Sequence, residues 1–394
     1  MRRQLALLGF AVGSALRRTG RTLSLAAALA LVTFAFASVL FFTEALRGEF
    51  RQGLAALPDL TVQRLVAGRP SLVEESDAAW IAEMPGVTAV RPRVWGYFFV
   101  PALAGNFTVV GVDFERDWEQ LGGHLTVGPG RLPEPGRSEE AVMGEALARF
   151  LGLDLGNAIT VPVGSTFQRL ELVGVFRSDV ALWSADVILA NESDARVLLQ
   201  IPEGAATDLG IWLSTPDEGV VVARKIADRL PGVRIVDRQL MSRTYDLTFD
   251  TRGGMMGMML LPALVAFLVL AWDRLTGVGA GERREIGVLK AVGWRTGDLL
   301  LARLWENTIL AAGGAGVGIV AAYIHVFWAG APGLAEVLLG WSSLYPALRV
   351  TPAVDGAQLV ALLCLVGAPF VAASLVPAWR AATRDPHSLL RGGS

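Results

Sequence analysis

Along the chain, apolar residues gather into four long runs separated by stretches of mixed polarity. The first covers residues 23–42 (LSLAAALALVTFAFASVLFF), the second 254–272, the third 304–328 and the fourth 357–379. Each approaches the roughly 20 residues a helix needs to cross about 30 Å of hydrocarbon. The pattern therefore predicts an integral membrane α-helical protein with four transmembrane helices. Between the first and second runs, residues 43–253 switch to short alternating stretches with Pro, Gly and β-branched residues mixed in. That change of period predicts a large α/β extracytoplasmic domain between helices 1 and 2.

Basic residues set the expected orientation, because Lys and Arg near span ends are retained on the cytoplasmic side. Residues 1–22 hold five arginines, 273–303 hold six basic residues and the tail 380–394 holds three, whereas 329–356 hold only Arg349. Both termini and the 273–303 loop are expected in the cytoplasm, with 43–253 and the loop 329–356 outside. Within 1–22, the run 3–16 has apolar side chains on much of a helix flanked by arginines. It reads as an amphipathic N-terminal helix lying along the inner surface, or as an extension of the first span. A cleaved signal peptide fits less well. The apolar run exceeds the roughly 7–15 residues of a signal core, and Ala35-Phe36-Ala37 lies inside it rather than after it.

The outer segment shows a weak internal repeat. A helix-like stretch, Glu75 to Met84, enters Pro85-Gly86 and then the alternation 87–90; later, Val221 to Leu230 enters Pro231-Gly232 and the alternation 233–236. In each, Pro-Gly ends a helix and a strand begins. Two such units at the segment's edges predict that 43–105 and 200–253 pair as one subdomain with 106–199 inserted; a chance recurrence of a common junction is the alternative. The insert is expected to hold strands at 107–112, 159–163, 170–175 and 187–189 around a short helix near 138–151, with turns at 128–130 and 133–136. The acidic pair Glu139-Glu140 is expected on a solvated face, since no histidine, serine triad or metal cluster accompanies it.

Composition narrows the chemistry. Of 394 residues 53% are hydrophobic and 18% charged, with mean hydropathy +0.46, more apolar surface than a soluble core needs. Residues 43–253 carry 20 basic and 29 acidic residues, a net of −9, while the whole chain is at −2. With no block of like charge, no nucleic-acid partner is expected. One cysteine, Cys364, and three histidines exclude an intrachain disulfide framework and argue against a Cys/His zinc cluster. Only Lys225 and Lys290 occur, neither followed by Ser or Thr in a glycine-rich run, so the sequence contains no P-loop. Work driven by ATP would require another chain to hydrolyse the nucleotide.

The 273–303 loop contains Gly281 to Leu300 (GERREIGVLKAVGWRTGDLL). At helical spacing Ile286, Leu289 and Val292 or Gly293 share a stripe, with Glu282, Arg283, Glu285 and Lys290 supplying charge around it. Such a helix inserts into a groove on a partner, apolar anchors giving affinity and charges giving register, or rests on the lipid surface. Gly287, Ala291 and Gly293 permit close backbone approach.

This run, continued to Ala322, resembles the coupling-helix and third-span region of MacB/FtsX-like ABC permeases, which read E-R-x-x-E-I-G-(I/V)-x-(K/R)-A-(V/L)-G followed by a Glu and a glycine-rich span. Residues 376–391 resemble the family's closing P-A-x-x-A-x-x-x-D-P-x-x-x-L-R pattern, and Gly144 to Leu153 resembles its outward-domain helix. The arrangement of one span, a large outer domain and three further spans is also the family's. The resemblance covers essentially the whole chain. It implies a permease subunit, not itself an enzyme and without a fused ATPase domain, that binds no cofactor. ATP and Mg would be handled by a cytoplasmic ABC ATPase dimer gripping Glu282, Arg283, Glu285, Ile286, Gly287, Leu289, Lys290, Ala291, Gly293 and Trp294. Trp294 departs from the small residue often found there, which puts the fit to that partner in question. Implied further partners are a second permease subunit, identical or a paralogue, a periplasmic adaptor in some members, and membrane lipid, all at the inner membrane. The implied work is export or extraction of a lipid, lipoprotein, peptide or hydrophobic small molecule by mechanotransmission. The alternative is a non-transporting regulator of an extracytoplasmic enzyme such as a cell-wall hydrolase.

Smaller features leave two readings each. Glu306, at the entry to the third span, is either a polar hinge or an interfacial side chain reaching water. Gly314 and Gly318 form a small-xxx-small face for tight helix contact, within one subunit or between two; Gly253 and Gly257 repeat the spacing. Met255, Met256, Met258 and Met259 are read as packing residues in preference to soft copper ligands. Pro262, Pro369 and Pro377 are expected to kink or end their spans.

Overall fold

The computed structural model describes residues 9–11, 13–14, 17, 19–55, 57–100, 105–118, 125–178, 186–276, 280–339 and 350–383. Its helices are α1 (Thr19–Ala55), α2 (Asp77–Ala82), α3 (Glu145–Leu151), α4 (Glu192–Leu199), α5 (Gly219–Arg229), α6 (Arg238–Thr276), α7 (Ala280–Ala291), α8 (Thr296–Tyr323), α9 (Leu334–Leu339) and α10 (Gly356–Thr383). Its strands are β1 (Leu60–Val66), β2 (Arg69–Ser71), β3 (Val73–Glu74), β4 (Val87–Arg93), β5 (Trp95–Val100), β6 (Gly105–Val112), β7 (Leu125–Gly130), β8 (Glu140–Gly144), β9 (Ala158–Val163), β10 (Thr166–Ser178), β11 (Val187–Asn191), β12 (Ala205–Ala206), β13 (Asp208–Leu213) and β14 (Val233–Asp237). The chain divides into two compact units, residues 1–45, 250–338 and 352–394 in one, 46–249 and 339–351 in the other.

The first unit is helical. Four stretches are long and apolar enough to cross a membrane, Thr22–Leu54, Arg238–Asp273, Thr296–Trp328 and Gly356–Val376. They contain the first three apolar runs and all but the last three residues of the fourth, and overrun them at several ends. Beyond residue 42, α1 stays helical to Ala55, and α6 begins at Arg238, well before 254. The polar extensions are held by side chains. Arg47 and Arg51 reach Asp246 at 3.5 and 3.2 Å, and the Phe50 ring lies 4.9 Å from those of Tyr245 and Phe249. Pro262 sits inside α6, and α10 runs through positions 369 and 377, so none of these prolines ends its helix. A π-helical turn, Ile324–Trp328, follows α8. Apolar residues occupy both the inner and outer faces of these helices. Phe267 and Phe370 are buried with rings 5.7 Å apart, while Val265, Val269, Val317 and Val360 point outward, as a lipid solvent favours.

In the second unit, both ends of the outer segment build one sheet, ordered β14-β1-β13-β4, with β2 on the edge of β1 and every pairing antiparallel. Leu60, Val62, Leu209 and Ile211 bury their side chains with Ile81 of α2 and Val222 and Ile226 of α5. Strands β4 and β14 are the two that follow Pro-Gly. Gly86 and Gly232 take φ +89° and +81°, where a side chain would be strained.

The inserted residues form a second sheet, ordered β5-β6-β11-β8-β10-β7, with β9 on β10. It is apolar on both faces. Phe107, Val109, Met143, Leu172 and Ile188 pack on one side with Leu147 of α3 and Leu198 of α4. Val112, Val142, Phe176 and Leu189 pack on the other. Two expectations change here. The insert begins at β5 rather than at 106, because β5 pairs along its length with β6 and the chain crosses between sheets at the single buried residue Val94. No turn residue marks that crossing. The helix expected over 138–151 is strand β8 followed by the shorter α3; a continuous apolar run such as 141–143 has the same appearance in a buried strand and a buried helix, and here it is the central strand.

Glu140 also departs from the solvated face expected of it. It is 3% exposed and held by Arg131 Nη2 at 2.5 Å, Arg137 Nε at 3.1 Å and the Glu134 N–H at 2.9 Å. The hydrogen bond from Arg131 keeps its carboxyl below the ordinary value of 4.5. Nearby Asp194 is shifted the other way, chiefly because burial penalises its charge, although it accepts from the Glu139 N–H at 2.9 Å. The two carboxylates have opposite linkage. Glu140 contributes stability above its unfolded pKa, and this is lost as pH falls through its folded pKa; Asp194 costs stability as pH rises from its unfolded value through its raised one. Unfolding temperatures of the detergent-solubilised chain should show Glu140→Gln destabilising at pH 7 and less so near pH 4. Asp194→Asn should be neutral or stabilising at pH 7. A Glu140→Gln deficit that does not shrink on acidification would contradict this assignment.

Candidate functional site

The charged loop between the second and third spans is a helical corner. Helix α7 ends in a Schellman turn. The Trp294 N–H reaches back to the Leu289 carbonyl and the Gly293 N–H to that of Lys290, both at 3.0 Å. Gly293 sits at φ +100°, which explains a glycine at this point. The accompanying contact between the residues before and after the turn is supplied by Leu289 and Trp294, packed against buried Ile286 and Leu299. One residue later α8 begins, with the Asp298 carboxylate accepting from the Arg295 N–H at 3.2 Å. The Gly-Trp-Arg-Thr-Gly-Asp stretch thus stops one helix and starts the next, fixing α7 on the first turn of α8.

This packing turns inward the two side chains expected to anchor a partner. Ile286 is 7% exposed and Leu289 half-buried, so both fill the corner's own core rather than project from it. The reason is Leu299, which lies in the following helix and selects which stripe of α7 turns inward. The apolar side chains that project are Val288 and Val292, 50% and 76% exposed and one turn apart. Ala291 and Gly293 are exposed beside them, Lys290 is half-buried and Gly287 is buried. The side chains of Glu282 and Arg283 lie outside the described residues. Glu285 accepts from Arg17 at 3.4 Å, and the Phe10 ring lies 5.1 Å from that of Trp294, with the Arg17 guanidinium 5.9 Å from Phe10. Residues near the N-terminus therefore belong to this corner, and Trp294 is a packing residue of it. Spacing alone contained the Val288/Val292 pair, but nothing in the sequence signalled Phe10.

The remaining candidates lie on α8. Glu306 accepts from Arg303 Nη1 at 2.7 Å, one turn earlier, so its charge is paired within its own helix. Gly314 and Gly318 are buried against α1. A side chain at Gly314 would approach the Ala26 carbonyl oxygen at 3.0 Å, and one at Gly318 the Ala30 oxygen at 2.5 Å. Their face therefore serves contact within the chain, while Gly313 and Gly316 have open space around them. Gly253 packs on Thr43 and Gly257 on nothing. Met255, Met258 and Met259 are exposed, so they do not fill gaps inside this chain. Among the described residues no group of three His, Cys, Asp or Glu is arranged to hold a metal. The closing motif from residue 384 onward lies outside the described residues.

A family model for the MacB-like periplasmic core domain matches residues 22–233, and one for the FtsX-like permease C-terminal region matches residues 255–386. Among solved structures, the periplasmic region of MacB from Actinobacillus actinomycetemcomitans is 14% identical with TM-score 0.35, covering 50% of this chain and 96% of that one. The extracellular domain of the ABC-type transporter YknZ from Gram-positive bacteria is 12% identical with TM-score 0.32, covering 45% of this chain and 99% of that one. Permeases of this family work with ABC ATPase partners and are not themselves enzymes. With one family model spanning more than half of the chain and the other most of the remainder, the protein belongs to the MacB/FtsX-like family of ABC transporter permeases and is a multi-pass membrane protein.

Proposed function

We propose that the protein is the membrane subunit of an ABC system of the inner membrane, with both termini and α7 in the cytoplasm and residues 43–253 outside. ATP and Mg are bound by a separate cytoplasmic ATPase dimer. Its motion enters through α7, passes along α8 and changes the conformation of the outer segment to export or extract a lipid, lipoprotein, peptide or hydrophobic small molecule. A second permease subunit, identical or paralogous, completes the assembly.

The observation that carries this reading is the corner itself. Val288 and Val292 project from a helix whose other side is locked to α8 by Ile286 and Leu299, so a force applied to the projecting pair moves α8 rather than bending a loop. Fully burying an apolar side chain of this size is worth about 1.5–3 kcal/mol. Co-expressed with the ABC ATPases of its genome, the native chain is expected to retain one through purification. A Val288→Asp, Val292→Asp double variant should retain less than about a tenth as much at an unchanged unfolding temperature. Ile286→Asp should instead lower the unfolding temperature, because it buries a charge. Full ATPase retention by the double variant sinks the proposal. A stable complex between residues 43–253 and a cell-wall hydrolase, with no cargo released on ATP turnover, assigns the regulator's role instead.

A further inference from the structure

Among the described residues, strand β5 is an edge of the second sheet, paired on one side only, with β6. Antiparallel pairing alternates, so every second residue turns its N–H and C=O toward the neighbour and the others turn theirs away. The phase follows from two contacts. Gly111 donates to the Val94 carbonyl at 2.8 Å, which in the register Gly96↔Val109, Phe98↔Phe107 makes the even-numbered residues the bonded ones. Trp95, which is odd, turns both groups outward, and the Thr207 hydroxyl occupies them, accepting from the N–H at 3.1 Å and donating to the C=O at 2.6 Å. Among the described residues, the edge is thus closed at Trp95 and left open at Tyr97 and Phe99.

Those two residues also carry the exposed side chains, at 70% and 53%, while Trp95 is pinned by its indole N–H to Asp208 at 2.9 Å and lies 6.0 Å ring to ring from Tyr97. An uncharged edge, Trp-Gly-Tyr-Phe-Phe-Val, with none of the lysines, prolines or bulges that usually blunt such strands invites another strand. The open stretch is two residues long, far too short to bury the roughly 1,200–2,000 Å² that a stable subunit interface needs, which favours a short segment bound weakly over a second copy bound firmly. Charge selects its type. Residues 43–253 carry a net of −9, and Asp186, bonded by Thr108 Oγ1 at 3.1 Å on the same face as Tyr97, has no Arg or Lys partner among the described residues.

We propose that the open edge of β5 binds an extended, basic segment of a polypeptide cargo, which adds as a strand beside Tyr97 and Phe99. Recognition is by backbone, so it tolerates many sequences, and the two aromatic rings cover the segment's alternate side chains. The proposal rests on the permease reading above and narrows its cargo to polypeptide.

The test uses the full chain in lipid nanodiscs and a fluorescent peptide alternating Thr and Val between terminal lysines. Proline at 97 or 99 removes the aromatic ring and an outward N–H but none of the N–H groups bonded to β6, and a threonine control removes the ring alone. Tyr97→Pro and Phe99→Pro are each expected to weaken binding at least tenfold, whereas Phe99→Thr, which keeps its N–H, weakens it less than either. Should the proline variants misfold, methylating alternate backbone nitrogens of the peptide asks the same question of the native protein, with the same expected loss. Absence of binding, equal binding of the methylated peptide, or equal binding of a glutamate-flanked peptide overturns the proposal. So does a change of oligomeric state in Tyr97→Pro without peptide, which would assign the edge to a second copy. The Val288→Asp, Val292→Asp variant should bind the peptide normally, so failure of the coupling assignment and failure of this site are read separately.

Discussion

Replacing Arg196 by methionine is expected to remove about 3 kcal/mol from the stability of the outer segment, the lower end of the range for breaking a buried ion pair. Arg196 is 7% exposed on α4. Its guanidinium pairs with Glu75 and, at 2.6 Å, with Glu192, and donates to the carbonyls of Pro202 and Ala205 at 3.1 and 2.7 Å. Glu75 precedes α2 of the first sheet's layer, whereas α4 packs on the second sheet, so one side chain ties the two subdomains together. Methionine fills much of the space but leaves two carbonyls and two carboxylates without their donor. The lower figure applies because Glu75 and Glu192 keep 31% and 44% exposure and can turn to water. Lysine in the same place retains one charge and recovers only part of the loss, since it lacks the guanidinium's fork of donors. Denaturant unfolding followed by tryptophan fluorescence measures the effect. A change below about 1 kcal/mol, the range of exposed pairs, would show the cluster to be incidental.

The membrane spans were legible because hydrocarbon imposes a demand that few soluble elements meet, and the Pro-Gly junctions were legible because each announces both a helix end and a strand start. What escaped the sequence depends on partners distant along the chain. Ile286 and Val288 are both apolar residues of one short helix, and only Leu299 decides that the first is core and the second surface. Glu139 and Glu140 look alike, yet Arg131 and Arg137 converge on the second and draw it inside. Trp294 reads in the sequence as a misfit for a partner's groove, whereas in the fold its ring packs against that of Phe10. The start of the inserted sheet was invisible for a different reason. A strand that leaves one sheet at Arg93 and enters another at Trp95 keeps its alternation throughout, and alternation was the only local signal.

Two glycines on α8 should respond very differently to enlargement, and the difference locates the contact between α8 and α1. Gly318→Leu is expected to be severely destabilising. A first carbon there already falls 2.5 Å from the Ala30 carbonyl oxygen, 2.8 Å from Thr33 Cβ and 3.0 Å from the Phe34 nitrogen. Two of these are backbone atoms of α1, which cannot rotate aside, so α1 and α8 must separate and surrender the dispersion contacts that hold membrane helices together without a hydrophobic drive. Overpacking usually costs about 1–3 kcal/mol, and a leucine against backbone belongs at or above the top of that range. Gly318→Ala meets the same atoms with one carbon and should fall inside it. Gly316→Leu adds the same mass half a turn away, where nothing lies within 4 Å, and should stay within about 0.5 kcal/mol of the native chain, as surface changes do. Thermal unfolding in one detergent, with ATPase retention measured on the same preparations, checks both. If Gly316→Leu and Gly318→Leu lose stability equally, α1 and α8 do not meet as described. If Gly318→Ala keeps its fold but uncouples ATP turnover from cargo release, close contact between these helices is part of the relay and not only of the scaffold.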